Sequence, residues 1–275
     1  MNIAVLSGKG GTGKTTVSTN LALALEANYI DCDVEEPNGF IFLNPEINTR
    51  KDVEVEIPDI DKNKCILCGD CARVCKFNAL AKGKHRVILF EKLCHSCGAC
   101  SLVCKQEAIK YRKRAIGVIE EGKKDKILVK RGILNIGEPM AVPVLKELLL
   151  NLSEEDLNIL DSSPGTSCNV VTTLQYADKA ILVTEPTAFG LHDLKMAVKL
   201  VKQLKIPFGI IINKYNEENQ YLKEYIEWEN ITILGKIPFR RDIAERYSTG
   251  KTLIDIDEYG EIFNNIRENI REVLL

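Results

Sequence analysis

The first residues equipped for chemistry are a run of glycines closed by a lysine and two threonines. Gly8-Lys9-Gly10-Gly11-Thr12-Gly13-Lys14-Thr15-Thr16 contains the spacing Gly-x-x-x-x-Gly-Lys-Thr. Glycines at such positions let successive backbone N–H groups turn inward onto phosphate oxygens, and a helix starting beside them adds a partial positive charge. Lys14 is placed for the β and γ phosphates of a nucleotide, and the Thr15 hydroxyl for its Mg²⁺. This chemistry needs a strand before the loop and a helix after it. Residues 3–6 are a short apolar run, and Val17, Leu21 and Leu25 recur with a helical period.

A second group is built on cysteine. Eight of the ten cysteines lie within residues 65–104. Cys65-x2-Cys68-x2-Cys71-x3-Cys75 is followed by Cys94-x2-Cys97-x2-Cys100-x3-Cys104, the copies starting 29 residues apart. Each copy reads Cys-Gly-x-Cys-x-x-Val-Cys-Lys and continues to Ala-Leu or Ala-Ile, the internal repeat of a bacterial ferredoxin half. Three thiolates so spaced can cap three irons of one cube, and the fourth serves the other cluster. The expected sets are Cys65, Cys68, Cys71 and Cys104 for one [4Fe–4S] centre, with Cys94, Cys97, Cys100 and Cys75 for the second. Lys76 and Lys105 stand where a proline usually follows the fourth cysteine. Structural zinc is the competing reading, but zinc modules seldom show this x2-x2-x3 repeat. His95, inside the second copy, is expected at the surface.

The elements that must position these groups alternate along the chain. Strands are expected at 29–33, 53–57, 157–160, 180–183, 208–212 and 231–234, with a hairpin over 115–119 and 127–129. Helices are expected from Pro143, over 192–204 and 220–228, and over 257–274. The last carries an apolar face with a net charge of −3, which favours packing on the core over an anionic lipid surface. The alternation predicts an α/β fold, a mainly parallel-sheet P-loop NTPase sandwich, with the cysteine segment inserted as a bacterial-type 2[4Fe–4S] ferredoxin domain. The expected division is 1–60 and 115–275 for the nucleotide-binding part and 61–114 for the insert.

Composition narrows the partners. The chain has 275 residues, 45% of them hydrophobic, and no run of 18 apolar residues, so no membrane span is expected. Its first strand runs straight into the glycine loop without an export signal, which points to the cytoplasm. Residues 61–114 hold thirteen Lys and Arg against four Asp and Glu, whereas the whole chain carries a net −2. A basic insert in an acidic host suits an acidic protein partner. Nucleic acid is disfavoured, since Phe77, Phe90 and Tyr111 are the insert's only aromatic residues and no nucleic-acid motif is visible.

Lys9 makes the loop more particular. Lys-Gly-Gly-Thr-Gly-Lys-Thr-Thr (9–16), Asp-Cys-Asp-Val-Glu-Glu-Pro-Asn (31–38), the cysteine repeats and Thr-Glu-Pro-Thr (184–187) together resemble the MinD superfamily of deviant Walker A ATPases containing an inserted ferredoxin domain. That group is related to the nitrogenase iron protein and Mrp-type ATPases. The resemblance implies that Lys9 reaches across a dimer to the partner's nucleotide. It implies that Asp33 orients the attacking water, with Asp31 supporting Mg²⁺ or its loop, and that Asp161 serves the Mg²⁺ shell. Asn213 would read adenine, and Pro238 and Phe239 would close over the base. Asn216 stands where guanine-binding relatives carry Asp, which favours ATP. The activity so implied is ATP hydrolysis in a homodimer or a heterodimer with a paralogue, coupled to electron transfer through two clusters and an acidic redox partner. An iron–sulfur assembly or carrier ATPase, or a MinD/ParA-like positioning ATPase, are the alternatives.

Overall fold

The computed structural model describes residues 1–153, 155–216 and 222–274. Its elements, in chain order, are β1 (Asn2–Leu6), α1 (Lys14–Leu25), β2 (Asn28–Asp31), α2 (Gly39–Leu43), β3 (Glu46–Ile60), α3 (Asp70–Val74), β4 (Leu80–Lys82) and β5 (Val87–Leu89). A 3-10 turn, Glu91–Leu93, precedes α4 (Ala99–Leu102), β6 (Ile109–Lys124), β7 (Ile127–Leu134), α5 (Val142–Leu149), β8 (Asn158–Asp161) and α6 (Cys168–Gln175). The chain then continues through β9 (Lys179–Thr184), α7 (Ala188–Gln203), β10 (Phe208–Tyr215), α8 (Lys223–Glu229), β11 (Ile233–Pro238), α9 (Arg241–Ser248) and α10 (Asp257–Val273).

One sheet runs β11-β10-β9-β1-β8-β2-β7-β6-β3. It is parallel from β11 to β7, and β6 and β3 extend it antiparallel. Successive residues of a strand point to opposite faces. Ile3 and Val5 of β1 therefore join the layer holding Leu21 of α1 and Phe263 of α10. Ala4 and Leu6 join the opposite layer, with Leu145 of α5 and Val198 of α7. Helices thus cover both faces of the parallel part, which explains why its strands read as near-continuous apolar runs. In α10 the apolar face packs inward through Tyr259, Phe263, Ile266 and Ile270, while Val273 is exposed.

The chain leaves β1 for β2 on one side and later passes from β8 to β9 on the other. This reversal opens a crevice at the carboxyl ends of the central strands, the usual ligand position in an open α/β sheet. The glycine loop lies there.

The antiparallel extension is longer than expected. The stretches at 53–57 and 115–119 are the middles of β3 and β6, which pair from Glu46↔Lys123 to Ile60↔Ile109. Charged residues conceal that length in the sequence, and pairs such as Lys113–Glu54 at 3.0 Å bridge the two strands. Residues 109–114 lie in this ladder, so the excursion from the sheet covers 61–108, against the expected 61–114. Of the helix expected over 220–228, residues 220 and 221 lie outside the described residues, and α8 starts at Lys223.

Candidate nucleotide site and cysteine cavities

The carboxyl ends of β1, β2 and β8 converge on one buried polar cluster. Gly11 and Gly13 have φ of 80° and 84°, a region that penalises any Cβ, and they turn the loop into α1. At Gly13 a Cβ would also lie 2.1 Å from the Asn213 amide nitrogen. Lys14, 7% exposed, forms a close ion pair with Asp161 Oδ1. The Tyr29 hydroxyl donates to Asp161 Oδ2 at 2.7 Å. Asp31 Oδ2 accepts from the Gly39 N–H at 2.8 Å, and Asp31 Oδ1 from the Asp33 N–H at 3.3 Å. The hydroxyls of Thr12 and Ser162 are buried in this region without a hydrogen-bond partner among the described residues. Buried polar atoms are nearly always paired, so these two, with the loop N–H groups, suit a phosphate and its metal ion.

Burial, reinforced by the neighbouring Asp161 charge, pushes the Asp31 carboxyl up to about 8. Its ordinary value is 3.8. Between these values the native chain keeps a proton that the unfolded chain has released, so its stability falls as pH rises from about 4 to 8. Asp31→Asn without nucleotide should flatten that slope and raise the melting temperature at pH 8 relative to the parent. Parallel melting curves of the two proteins across this range would refute the shift.

Asp33, partly buried, is also raised, mainly by burial, with Lys14 opposing the shift. The Ser163 hydroxyl donates to Asp33 Oδ1 at 3.2 Å, and the Asn169 amide to Glu35 Oε1 at 3.0 Å. The loop after β2 is thereby tied to the segment after β8. Cys168, also in that segment, starts α6 and is exposed, so it does not fill the core.

In the 61–108 excursion, two cavities each gather four of the expected cysteines. Cys65, Cys68, Cys71 and Cys104 line one, together with Ile60 and Lys105. Cys75, Cys94, Cys97 and Cys100 line the other, together with Phe77 and Tyr111. The fourth cysteine of each repeat therefore sits with the other repeat. All ten cysteines are free. The Ala79 N–H donates to Cys75 Sγ at 3.3 Å, and the Ala108 N–H to Cys104 Sγ at 3.4 Å. Burial pushes the Cys71 and Cys100 thiols up. Among the described residues no group of three His, Cys, Asp or Glu side chains is placed to hold a single metal ion. His95 is exposed and stacks on Phe77 with centroids 3.8 Å apart.

Residues 3–254 match the CobQ/CobB/MinD/ParA nucleotide binding domain. The chain belongs to this family. Among its relatives, the uncharacterised protein MJ0579 of Methanocaldococcus jannaschii is 36% identical over 275 residues, covering 98% of this chain and 96% of that one. An iron-sulfur cluster carrier protein of Pyrococcus horikoshii is 26% identical, covering 92% of this chain and 78% of the carrier. In fold, the septum site-determining protein MinD of Pyrococcus horikoshii, solved with Mg-ADP, superposes with a TM-score of 0.61 at 17% identity. The match covers 98% of this chain and 95% of that one. The α/β fold with a mainly parallel sheet is thus that of a P-loop ATPase of the MinD type. Among the described residues no helix is long and apolar enough to cross a membrane.

Further family positions lie at the neighbouring strand ends. Lys9 Nζ is 2.5 Å from Glu185 Oε1, so in this single protomer Lys9 is bound in cis. Lys214 Nζ is 3.0 Å from Glu185 Oε2 and donates to the Gly11 carbonyl at 2.7 Å. Burial works against ionisation of Glu185, but the two ammonium groups hold its carboxyl below its ordinary value. Asn213 donates its amide N–H to the Thr12 carbonyl at 2.7 Å, so it braces the loop directly. Phe239 is 70% exposed just beyond β11, and its N–H binds the Tyr215 carbonyl at 3.0 Å. Tyr29, Ser163, Glu185 and Lys214 carry no role in the sequence reading. For Glu185 a signal existed: an acid at the end of an apolar strand, followed by Pro186.

Proposed function

We propose that this chain is an ATP-hydrolysing iron–sulfur protein. In this reading the nucleotide state of a dimer controls electron transfer through two [4Fe–4S] clusters held by the inserted segment. The observation that carries the reading is the crossed arrangement of the eight cysteines round two cavities. Thiolates that ligate the corners of a cube must surround a volume, whereas ligands of one zinc ion converge on a point. The cysteines fit the first demand. When bound, such clusters accept and donate single electrons.

Each of the chain's own groups has a task in this scheme. The N–H groups of residues 8–16 and Lys14 would hold the phosphates, and Thr15 and Asp161 would serve the Mg²⁺ shell. Asp31 would support that shell or the loop whose Gly39 and Asp33 N–H groups it accepts from. Asp33, steadied by Ser163, orients water, while Asn213, Pro238 and Phe239 border the base. Lys9 completes the site of a second copy or a paralogue. The insert is joined to this machinery through the antiparallel strands of the sheet. The Val34 carbonyl, one residue after Asp33, accepts from the Leu134 N–H at the end of β7 at 2.8 Å. β7 pairs with β6, the strand that leads out of the insert. Movement of the loop after β2 would therefore bear on β7 and, through its pairing with β6, on the strand that carries the insert, the usual form of a nucleotide switch. An acidic redox partner suits the insert's basic surface and its exposed Ile66 and Leu102.

The Pyrococcus relative, an iron-sulfur cluster carrier protein by name, favours a second reading, in which the clusters are cargo handed to other proteins. Exposed Cys68 and Cys97 give some access for such transfer. One experiment separates the two. Anaerobically purified protein should carry about eight irons and eight sulfides per chain. Reductive titration followed by EPR, with and without ATP, should show nucleotide changing cluster potential or reoxidation. Iron retained on incubation with an apo-acceptor, with a nucleotide-dependent potential, supports electron transfer. Iron passing to the acceptor with no change in potential supports the carrier, and two zinc ions per chain would exclude both.

A further inference from the structure

Three strand ends meet beside the glycine loop, and each supplies one charged residue. Lys9 follows β1, Glu185 follows β9 and Lys214 lies near the end of β10. Both oxygens of the Glu185 carboxylate are engaged, one by Lys9 at 2.5 Å and the other by Lys214 at 3.0 Å. Lys214 still holds the carboxylate if Lys9 leaves. Glu185 lies between the last residue of β9 and Thr187, whose hydroxyl caps α7 by accepting from the Gly190 N–H at 2.9 Å. The backbone there is tightly packed, since a Cβ on Gly190 would fall 2.1 Å from the Glu185 carbonyl oxygen. Lys214 adds a further anchor through the Gly11 carbonyl. Lys9, whose ammonium group meets Glu185 and the Phe189 ring but lacks the carbonyl anchor that Lys214 has, is the movable member.

We propose that Glu185 sets the threshold for pairing of two protomers by holding Lys9 within its own protomer until a triphosphate on the partner attracts it more strongly. The inference rests on the reading that Lys9 acts across a nucleotide-sandwiched dimer. Lys9 then has two competing anions, the Glu185 carboxylate in cis and the partner's phosphates in trans. Whatever fraction of protomers has Lys9 bound to Glu185 is unavailable for pairing, which weakens apparent dimerisation by that fraction. A diphosphate lacks the terminal phosphoryl group and its charge, so it competes less well for an ammonium group. Glu185 thereby keeps the diphosphate state apart while the triphosphate state closes. It is a positioning residue, acting through Lys9 without touching nucleotide itself. Lys214 keeps the carboxylate ionised and aimed when Lys9 departs, so Lys9 can return after hydrolysis.

The test is dimerisation by analytical ultracentrifugation of the cluster-containing full chain at fixed salt, with adenylyl imidodiphosphate or ADP. Glu185→Gln keeps the size and one acceptor but removes the charge. With the triphosphate analogue it should dimerise at a protein concentration lower by about tenfold or more. With ADP it should form dimers at concentrations where the parent stays monomeric. In a Lys9→Ala background the same substitution should change nothing, because no ammonium group remains to be released. A purely structural effect on the loop, transmitted through Lys214, would persist in that background and overturn the proposal. So would an unchanged or raised dimerisation concentration in Glu185→Gln alone. A parent protein that stays monomeric with the analogue would overturn the dimer reading and this inference together.

Discussion

Lys14→Ala is expected to lose Mg·ATP affinity by roughly 100-fold or more, as truncating one member of a buried charge pair costs several kcal/mol. Lys14 is nearly inaccessible and faces Asp161, with Asp31 and the Tyr29 hydroxyl completing the cluster. Removing it takes away the cation that meets the phosphates and leaves two carboxylates in a low-dielectric setting. The nucleotide-free variant should therefore be less stable by about 3–5 kcal/mol at and above pH 8, where Asp31 would have to ionise beside Asp161 without a cation. That loss should shrink toward pH 5, where the Asp31 carboxyl keeps its proton. Isothermal titration with Mg·ATP and denaturant unfolding at the two pH values measure both effects. Affinity within threefold of the parent would mean that Lys14 does not meet the phosphates.

The second large effect concerns the crossed cysteines. Cys75→Ser should remove about four of the expected eight irons, those of the set containing Cys94, Cys97 and Cys100. Adding Cys94→Ser should remove no more, because both changes strike one set. Adding Cys65→Ser instead should remove nearly all the iron. The structure motivates this pattern, since Cys75 lines a cavity with the second repeat and Cys104 with the first. If each repeat closed on itself, the two double variants would exchange outcomes. Iron and sulfide analysis of anaerobic preparations distinguishes the cases without any activity assay. The insert's small core, in which Cys71 and Cys100 pack beside Leu80 and Val87, should loosen with the loss of either set.

The glycine loop was legible because its constraints are local. A loop that cradles phosphate needs small residues, a lysine and a hydroxyl at set spacings, and α1 follows from the period of Val17, Leu21 and Leu25. The alternation of buried strands and helices was legible for a similar reason, since strands covered on both faces must be apolar throughout. The cysteine repeat also announced its own spacing, and the crossing of its fourth residues is the expectation that its likeness to two-cluster ferredoxins implies. The lengths of β3 and β6 were not legible. Their outer portions are charged and gain their order from cross-strand pairing between residues far apart in the chain.

Sequence by itself thus determined a phosphate loop in an α/β chain, membership in the MinD-type family, and two four-cysteine sets as the expected ligand groups. Only the tertiary structure decided which polar residues meet. Tyr29 and Asp161 are 132 positions apart, and Lys9 and Glu185 are 176 apart, yet each pair is in hydrogen-bond contact. No periodicity or local motif encodes such a contact. It arises because parallel strands bring their carboxyl ends to one edge of the sheet, where side chains from separate segments share a small buried volume. In that volume a carboxylate must find a cation, a donor or a proton.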